Sequence, residues 1–254
     1  MRYALAAALA CLALFAGTTA DASSKSRDPE PLAKDVTMVG SLPQGYLATP
    51  AGGAGPGVIV LHAWWGLNDT IKGFCRQLAE AGYVAYAPDM FHGKVARTIP
   101  EAQALSGAAE GEWQAIRARV LEAAKAFAVH EGVAAGGMGV MGFSFGASYA
   151  LFLSDDFPAR IRATVVYYGS WADGFEHSQS AYLGHFAEQD PYEDPAGAKA
   201  LEDTIEKAGL AVTIHSYPGT KHWFVEPDRT AEYDPDAAAL AWQRTLDFLG
   251  ETLR

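Results

Sequence analysis

A serine set between two glycines, Gly142-Phe143-Ser144-Phe145-Gly146, is the clearest chemical signal in this chain. An apolar run, Met138–Phe143, leads into it and the helix-forming stretch Ala147–Leu153 follows, so strand, sharp turn and helix are predicted in that order. On such a turn the serine hydroxyl is lifted above the sheet edge, and the glycines remove side chains that would collide where strand meets helix. The backbone N–H of Phe145 would face a developing oxyanion. A serine hydroxyl is a poor nucleophile at neutral pH, so acyl transfer also needs a histidine base and a carboxylate to orient it. Where this turn is used, the two follow the serine in the order acid, then histidine.

Four histidines come after Ser144. His185 and His215 fall inside predicted strands and read as core or face residues. His177 stands in a polar loop with no supporting signal nearby. His222 lies in Tyr217–Phe224, just past the last predicted strand, where a parallel sheet presents its functional groups. The acid is expected after the preceding strand, in Glu188-Gln189-Asp190-Pro191-Tyr192-Glu193-Asp194. Asp190 is preferred because the following proline restricts its backbone. Glu188, Glu193 and Asp194 stay open as alternatives or as solvated loop charges.

The elements that must position these groups follow from hydrophobic pattern. Gly57–His62, Val84–Ala87, Met138–Phe143, Ala163–Tyr168, Ala181–Phe186 and Ala211–Tyr217 are apolar runs bounded by Gly and Pro and read as strands, several buried on both faces. Between them, helices are predicted from near Asn68, over Glu101–His130, over Ala196–Ala208 and over Ala237–Leu253. Asn68-Asp69-Thr70 fits a glycosylation pattern, but a helix cap explains it more simply. Cys75 falls on the apolar stripe of that helix, which argues for burial over reactivity. The alternation implies an α/β fold: a single domain, 37–254, with a mostly parallel sheet covered by helices on both faces.

Of the 254 residues, 50% are hydrophobic and 19% charged, which excludes whole-chain disorder. The formal charge of -11 repels nucleic-acid phosphates and anionic lipid surfaces. Arg2 followed by the apolar run Ala4–Gly17 and small residues reads as a signal peptide over 1–22, cleaved after Ala20 or Ala22. At 14 residues the run falls below the ~20 needed to span a bilayer, so no stable membrane insertion is expected after cleavage, and the chain is expected to be periplasmic or secreted. Cleavage removes Cys11 and leaves Cys75 as the only thiol. A polar leader, 23–36, precedes the domain. No His/Cys cluster has metal-ligand spacing and no phosphate-binding glycine loop occurs, so neither metal nor cofactor is expected.

From about Thr37 to the C-terminus the chain resembles the dienelactone hydrolase family of α/β-hydrolases. The resemblance rests on Val58–Asn68, Tyr86–Phe91, Gly142–Gly146, and Tyr217–Phe224 with Tyr233 and Trp242 downstream. It implies Ser144, Asp190 and His222 as the triad, and the backbone N–H of Trp64 beside that of Phe145 as the oxyanion hole. Three positions depart from the family's well-known members. The nucleophile is serine where they have cysteine, and the glutamate that assists that cysteine corresponds to Ala63. These changes are chemically coherent, since a serine activated by histidine needs no second carboxylate to control a thiolate. The third concerns the arginines that hold a substrate carboxylate: the fourth residue after His222 is Glu226, and the loop after Asp89 offers His92 and Lys94, which weighs against an anionic lactone. Trp64, Trp65, Trp171 and Trp223 flank the expected catalytic loops and suggest an apolar pocket, or else pack those loops.

The expected function is therefore an exported serine hydrolase that cleaves a small ester or lactone through an acyl-enzyme. Two alternatives stay open: a non-catalytic binding module on the same fold, and an acyltransferase using an acceptor other than water.

Overall fold

The computed structural model describes residues 38–39 and 42–254, which belong to one compact unit. The expected signal peptide, leader and Cys11 lie outside the described residues. Strands β1 (Met38–Val39) and β2 (Leu42–Pro43) form a small antiparallel pair. Seven strands then build the main sheet: β3 (Gly45–Ala48), β4 (Gly57–Leu61), β5 (Val84–Pro88), β6 (Met138–Phe143), β7 (Ile161–Tyr167), β8 (Ala181–Ala187) and β9 (Val212–Tyr217). Their spatial order is β3-β5-β4-β6-β7-β8-β9, and all pairings are parallel except β3 with β5. Strand β3 is not among the strands the sequence predicts, because its four residues include a turn-forming glycine and make too short a pattern to read.

Every residue of β4, β5 and β6 is buried, as strands covered on both faces must be. Period-two alternation sends Ile59, Leu61 and Val140 to one side of the sheet and Val58, Val60 and Met141 to the other. On the first side they meet α3 (Trp113–Ala128), α4 (Phe145–Asp156) and α5 (Pro195–Lys207). On the second they meet α1 (Asp69–Glu80) and α6 (Pro235–Leu253).

The helix predicted over Glu101–His130 is in fact two, α2 (Ile99–Glu110) and α3. Gly111 ends the first, and Thr98 begins it through a reciprocal capping box with Glu101, so local chemistry divides a stretch whose composition favours helix throughout. Cys75 is buried on α1, where desolvation pushes its thiol up to about 12 and removes thiolate character at neutral pH.

The topology locates the functional end. From β4 the chain moves outward to β5, then returns to place β6 on the other side of β4, so the loops leaving β4 and β6 diverge at the point where strand order reverses. Ligands of open α/β sheets bind in that crevice. Asn68, after the β4 loop, caps α1 by accepting from the Ile71 N–H at 3.0 Å, and its amide donates to Asp228 in the histidine loop at 3.3 Å. Asn68→Ala is expected to lower the unfolding free energy by about 1 kcal/mol. Urea unfolding midpoints check this, and an unchanged midpoint would show the cap to be idle.

Candidate active site

Strand β6 delivers Ser144 in a backbone conformation that few non-glycine residues adopt, φ 49° and ψ -114°. Its N–H donates to the Tyr167 carbonyl of β7 at 2.8 Å, which pins the turn to the neighbouring strand. The two flanking glycines are there for space. A Cβ on Gly142 would strike the backbone of Gly146 and Ala147, and one on Gly146 would strike the carbonyls of Leu61 and His62. Helix α4 thus starts in direct contact with the end of β4, bringing Phe145 and the segment leading to Trp64 together. Phe145 is the first residue of α4, one of the positions whose N–H has no partner inside its own helix.

The Ser144 hydroxyl lies 2.8 Å from His222 Nε2, and His222 Nδ1 lies 2.7 Å from Asp190 Oδ2. Carried by Nδ1, the imidazole proton donates to the carboxylate and leaves Nε2 free to accept from the serine. The side chains of His222 and Asp190 are only 3% and 1% exposed. The other carboxylate oxygen, Oδ1, accepts from the N–H groups of Tyr192 (2.8 Å) and Glu193 (3.0 Å), so the acid is held in one orientation.

The acid and histidine loops are stitched to each other. Glu188 N–H donates to Tyr217 O at 3.2 Å, Gln189 N–H to Thr220 O at 2.9 Å, and Gly219 N–H to the Glu188 carboxylate at 2.8 Å. Each alternative acid therefore has another task. Glu188 ties the loops, Asp194 caps α5 through the Ala196 N–H, and Glu193 accepts from the Ser170 hydroxyl. Burial pushes the Glu193 carboxyl up to about 7. Of the loop's four carboxylates, Asp190 is the one bonded to His222.

The other histidines have separate surroundings. His185 is buried between Tyr217 Oη (2.8 Å) and Thr245 Oγ1 (3.0 Å), and desolvation lowers its pKa well below the usual value. His215 lies beside it on β9, and His177 pairs with Asp155 at the surface. Among the described residues no group of three or more His, Cys, Asp or Glu is placed to hold a metal ion.

Aromatic rings frame the histidine. Tyr192 and Trp223 lie 5.1 and 5.0 Å from the His222 ring, and Trp64 reaches both of them at 5.6 and 5.8 Å. Of the tryptophans expected at the pocket, Trp223 joins this frame but is only 3% exposed, and Trp65 packs behind it at 2%. Trp171 is placed elsewhere, against Trp113 and Phe152 of α3 and α4. Trp223 itself takes φ 68°, a left-handed conformation that costs a bulky residue about 1 kcal/mol or more.

Two further residues are not legible from the sequence as partners of the site. Tyr168, one residue past β7 and at φ 41°, lays its ring 4.7 Å from that of His222 and donates its hydroxyl to Glu226 Oε1 at 2.6 Å. Glu226 is wholly buried, and desolvation pushes its carboxyl up to about 8. It therefore holds its proton to a higher pH than an ordinary carboxyl does. A tyrosine at a strand end with a glutamate four residues past the histidine is a pairing visible only once the two loops meet.

Residues 44–253 match the model of the dienelactone hydrolase family. The chain belongs to that family. Among its relatives, the protein usf of Aquifex pyrophilus is 31% identical over 218 residues, covering 83% of this chain and 94% of that one. The carboxymethylenebutenolidase of Pseudomonas putida is 26% identical over 216 residues, covering 80% and 89%. A dienelactone hydrolase-like promiscuous phosphotriesterase from metagenomic libraries superposes with a TM-score of 0.74 at 25% identity, covering 83% and 92%. A dienelactone hydrolase from Anabaena variabilis shares the fold, with a TM-score of 0.63 at 18% identity over 90% and 100%. This dienelactone hydrolase family member is thus an α/β-hydrolase whose Ser144, His222 and Asp190 stand at the crevice of the sheet.

Proposed function

We propose that this protein is a serine hydrolase that cleaves an ester or lactone through an acyl-enzyme. The observation that carries the reading is the unbroken hydrogen-bonded chain Ser144 Oγ, His222 Nε2, His222 Nδ1, Asp190 Oδ2. In the first half-reaction the serine oxygen attacks the carbonyl carbon while His222 Nε2 takes its proton. The carbonyl oxygen becomes an oxyanion, for which the N–H groups of Phe145 and Trp64 are the donors. Asp190 stabilises the imidazolium that forms. The intermediate then collapses, the C–O bond to the alcohol breaks, and His222 gives its proton to the departing oxygen. For a lactone that alcohol stays tethered to the acyl group. In the second half-reaction water takes its place, His222 accepts the water's proton as the hydroxyl adds to the acyl carbon, and His222 then returns that proton to Ser144 Oγ as the acyl–serine bond breaks and the acid leaves.

The substrate is proposed to be small and uncharged around the scissile bond. The frame of Trp64, Tyr192 and Trp223 supplies apolar surface. The fourth residue past His222, Glu226, is a buried acid engaged with Tyr168 and gives no cation for a substrate carboxylate. The Arg2-led apolar run supports export by a signal peptide, with the enzyme acting in the periplasm or outside the cell.

Labelling with a serine-reactive fluorophosphonate, read by mass spectrometry, tests the assignment. One adduct per chain is expected on Ser144, absent in Ser144→Ala and slowed at least about 100-fold in His222→Ala. A folded wild-type protein that takes up no label would remove the nucleophile and with it this reading.

A further inference from the structure

Both ring nitrogens of His222 are committed, Nδ1 to Asp190 and Nε2 to Ser144. Bonds at two points of a ring fix the line between them and leave the ring free to tilt about that line. What restrains the tilt must lie against the ring itself. Tyr168, Trp223 and Tyr192 do so, with centroids 4.7, 5.0 and 5.1 Å from that of the imidazole. Trp223 is the next residue in the chain and moves with the histidine, and Tyr192 is exposed. Tyr168 is nearest, wholly buried, and belongs to a different strand end.

Tyr168 is anchored at both ends. Its backbone N–H donates to the His185 carbonyl of β8 at 2.8 Å, and its hydroxyl donates to Glu226 Oε1 at 2.6 Å. Burial pushes that hydroxyl well above its ordinary pKa range, so it stays a donor. Glu226 is fixed in turn: its N–H donates to the Trp223 carbonyl at 2.8 Å, and its own carbonyl accepts from the Arg229 N–H at 2.9 Å. The loop that carries the histidine thus also carries the acceptor for the side chain that backs the histidine. This arrangement costs stability, because Glu226 is wholly buried and its Oε2 has no hydrogen-bond partner. A leucine, similar in size, would fill the space without that cost. The steps of acyl transfer described above use neither Tyr168 nor Glu226.

We propose that Tyr168 and Glu226 are positioning residues for His222: the hydrogen bond between them locks the Tyr168 ring against the imidazole and keeps Nε2 aimed at Ser144 Oγ. The effect on turnover rests on the serine-hydrolase reading, whereas the effect on the imidazole's position does not. Proton transfer needs this aim, since a displacement of about 1 Å costs on the order of 10²-fold in rate. The bond requires an oxygen acceptor where Oε1 stands, which glutamine supplies and leucine does not. That difference separates positioning from space filling.

The test compares wild type with Tyr168→Phe, Glu226→Leu, Glu226→Gln and the double variant Tyr168→Phe/Glu226→Leu at neutral pH, with p-nitrophenyl acetate as substrate. In Tyr168→Phe and Glu226→Leu, kcat is expected to fall about 10- to 100-fold with KM within about twofold, and Glu226→Gln is expected to restore kcat to within about threefold of wild type. Each of the two breaking substitutions leaves one buried polar group unpaired and should lower the urea midpoint. The double variant removes both groups, so its midpoint should recover while its kcat does not. A double variant whose kcat returns with its midpoint overturns the positioning role, and so does a Glu226→Gln variant as slow as Glu226→Leu. Proton NMR reads the same role without turnover. The His222 Nδ1 proton, bonded to Asp190, should give a low-field signal that is absent in His222→Ala, sharp in wild type and Glu226→Gln, and broadened or lost in Glu226→Leu and the double variant. A signal missing from wild type, or equally sharp in all four, overturns the role. The expected NMR pattern in a protein that turns over no ester would retain the positioning and remove the serine-hydrolase reading.

Discussion

Asp190→Asn is expected to reduce kcat for an activated ester such as p-nitrophenyl acetate by about 10⁴-fold while leaving the fold in place. The carboxamide oxygen can still accept from the Tyr192 and Glu193 N–H groups that orient the native side chain. What changes is the atom facing His222. An amide nitrogen there donates, so Nδ1 must accept, the imidazole proton moves to Nε2, and the ring can no longer take the proton from Ser144. The position is almost fully enclosed, so bulk water cannot take over the orienting role. Steady-state kinetics together with urea unfolding makes the comparison. A folded variant that keeps turnover within about tenfold of wild type would show that Asp190 does not orient the base.

Glu226→Gln should produce the largest change in stability, one that is absent at about pH 4.5 and grows until about pH 8. Burial raises this carboxyl from an ordinary 4.5 to about 8, with the Tyr168 hydroxyl acting in the opposite direction. The folded chain therefore keeps a proton that the unfolded chain has already released. Between those two pH values the native state binds more protons than the unfolded state, so stability falls as pH rises from about 4.5 and levels off above about 8. A displacement of that size corresponds to on the order of 5 kcal/mol at its limit. Glutamine keeps an oxygen for the Tyr168 hydroxyl and has no charge to bury, so the variant should gain several kcal/mol over wild type at pH 9 and little at pH 4.5. Glu193, raised to about 7, titrates in the same window but in both proteins alike, and drops out of the difference. A difference between the two proteins that is the same at both pH values would mean that Glu226 does not carry a buried proton.

Much of this architecture is legible in the amino-acid sequence, for a physical reason. Strands such as Val58–Leu61 and Met138–Phe143 are buried on both faces, so burial writes itself into the sequence as unbroken apolar runs. The turn at Ser144 is equally legible, because only glycine tolerates the contacts made at positions 142 and 146. The division of Glu101–His130 into two helices is harder to read, since the break at Gly111 is local and the residues on either side all favour helix. The choice of Asp190 among four acids cannot rest on composition. It is decided by which carboxylate the stitched loops turn toward the histidine, a long-range matter of Gln189 meeting Thr220 and Glu188 meeting Gly219. For the same reason Tyr168 and Glu226, 58 residues apart in sequence, carry no joint signal.

Ser144, Tyr168 and Trp223 all hold left-handed backbone angles, and all three lie against His222. A glycine would relax each of them locally, yet each substitution would remove a side chain that touches His222. Under the proposed mechanism, heat resistance and turnover therefore draw on the same residues in opposite directions. Under that mechanism, extra stability can be added at lower cost in the helical layers and at helix caps than at the strand ends around the crevice.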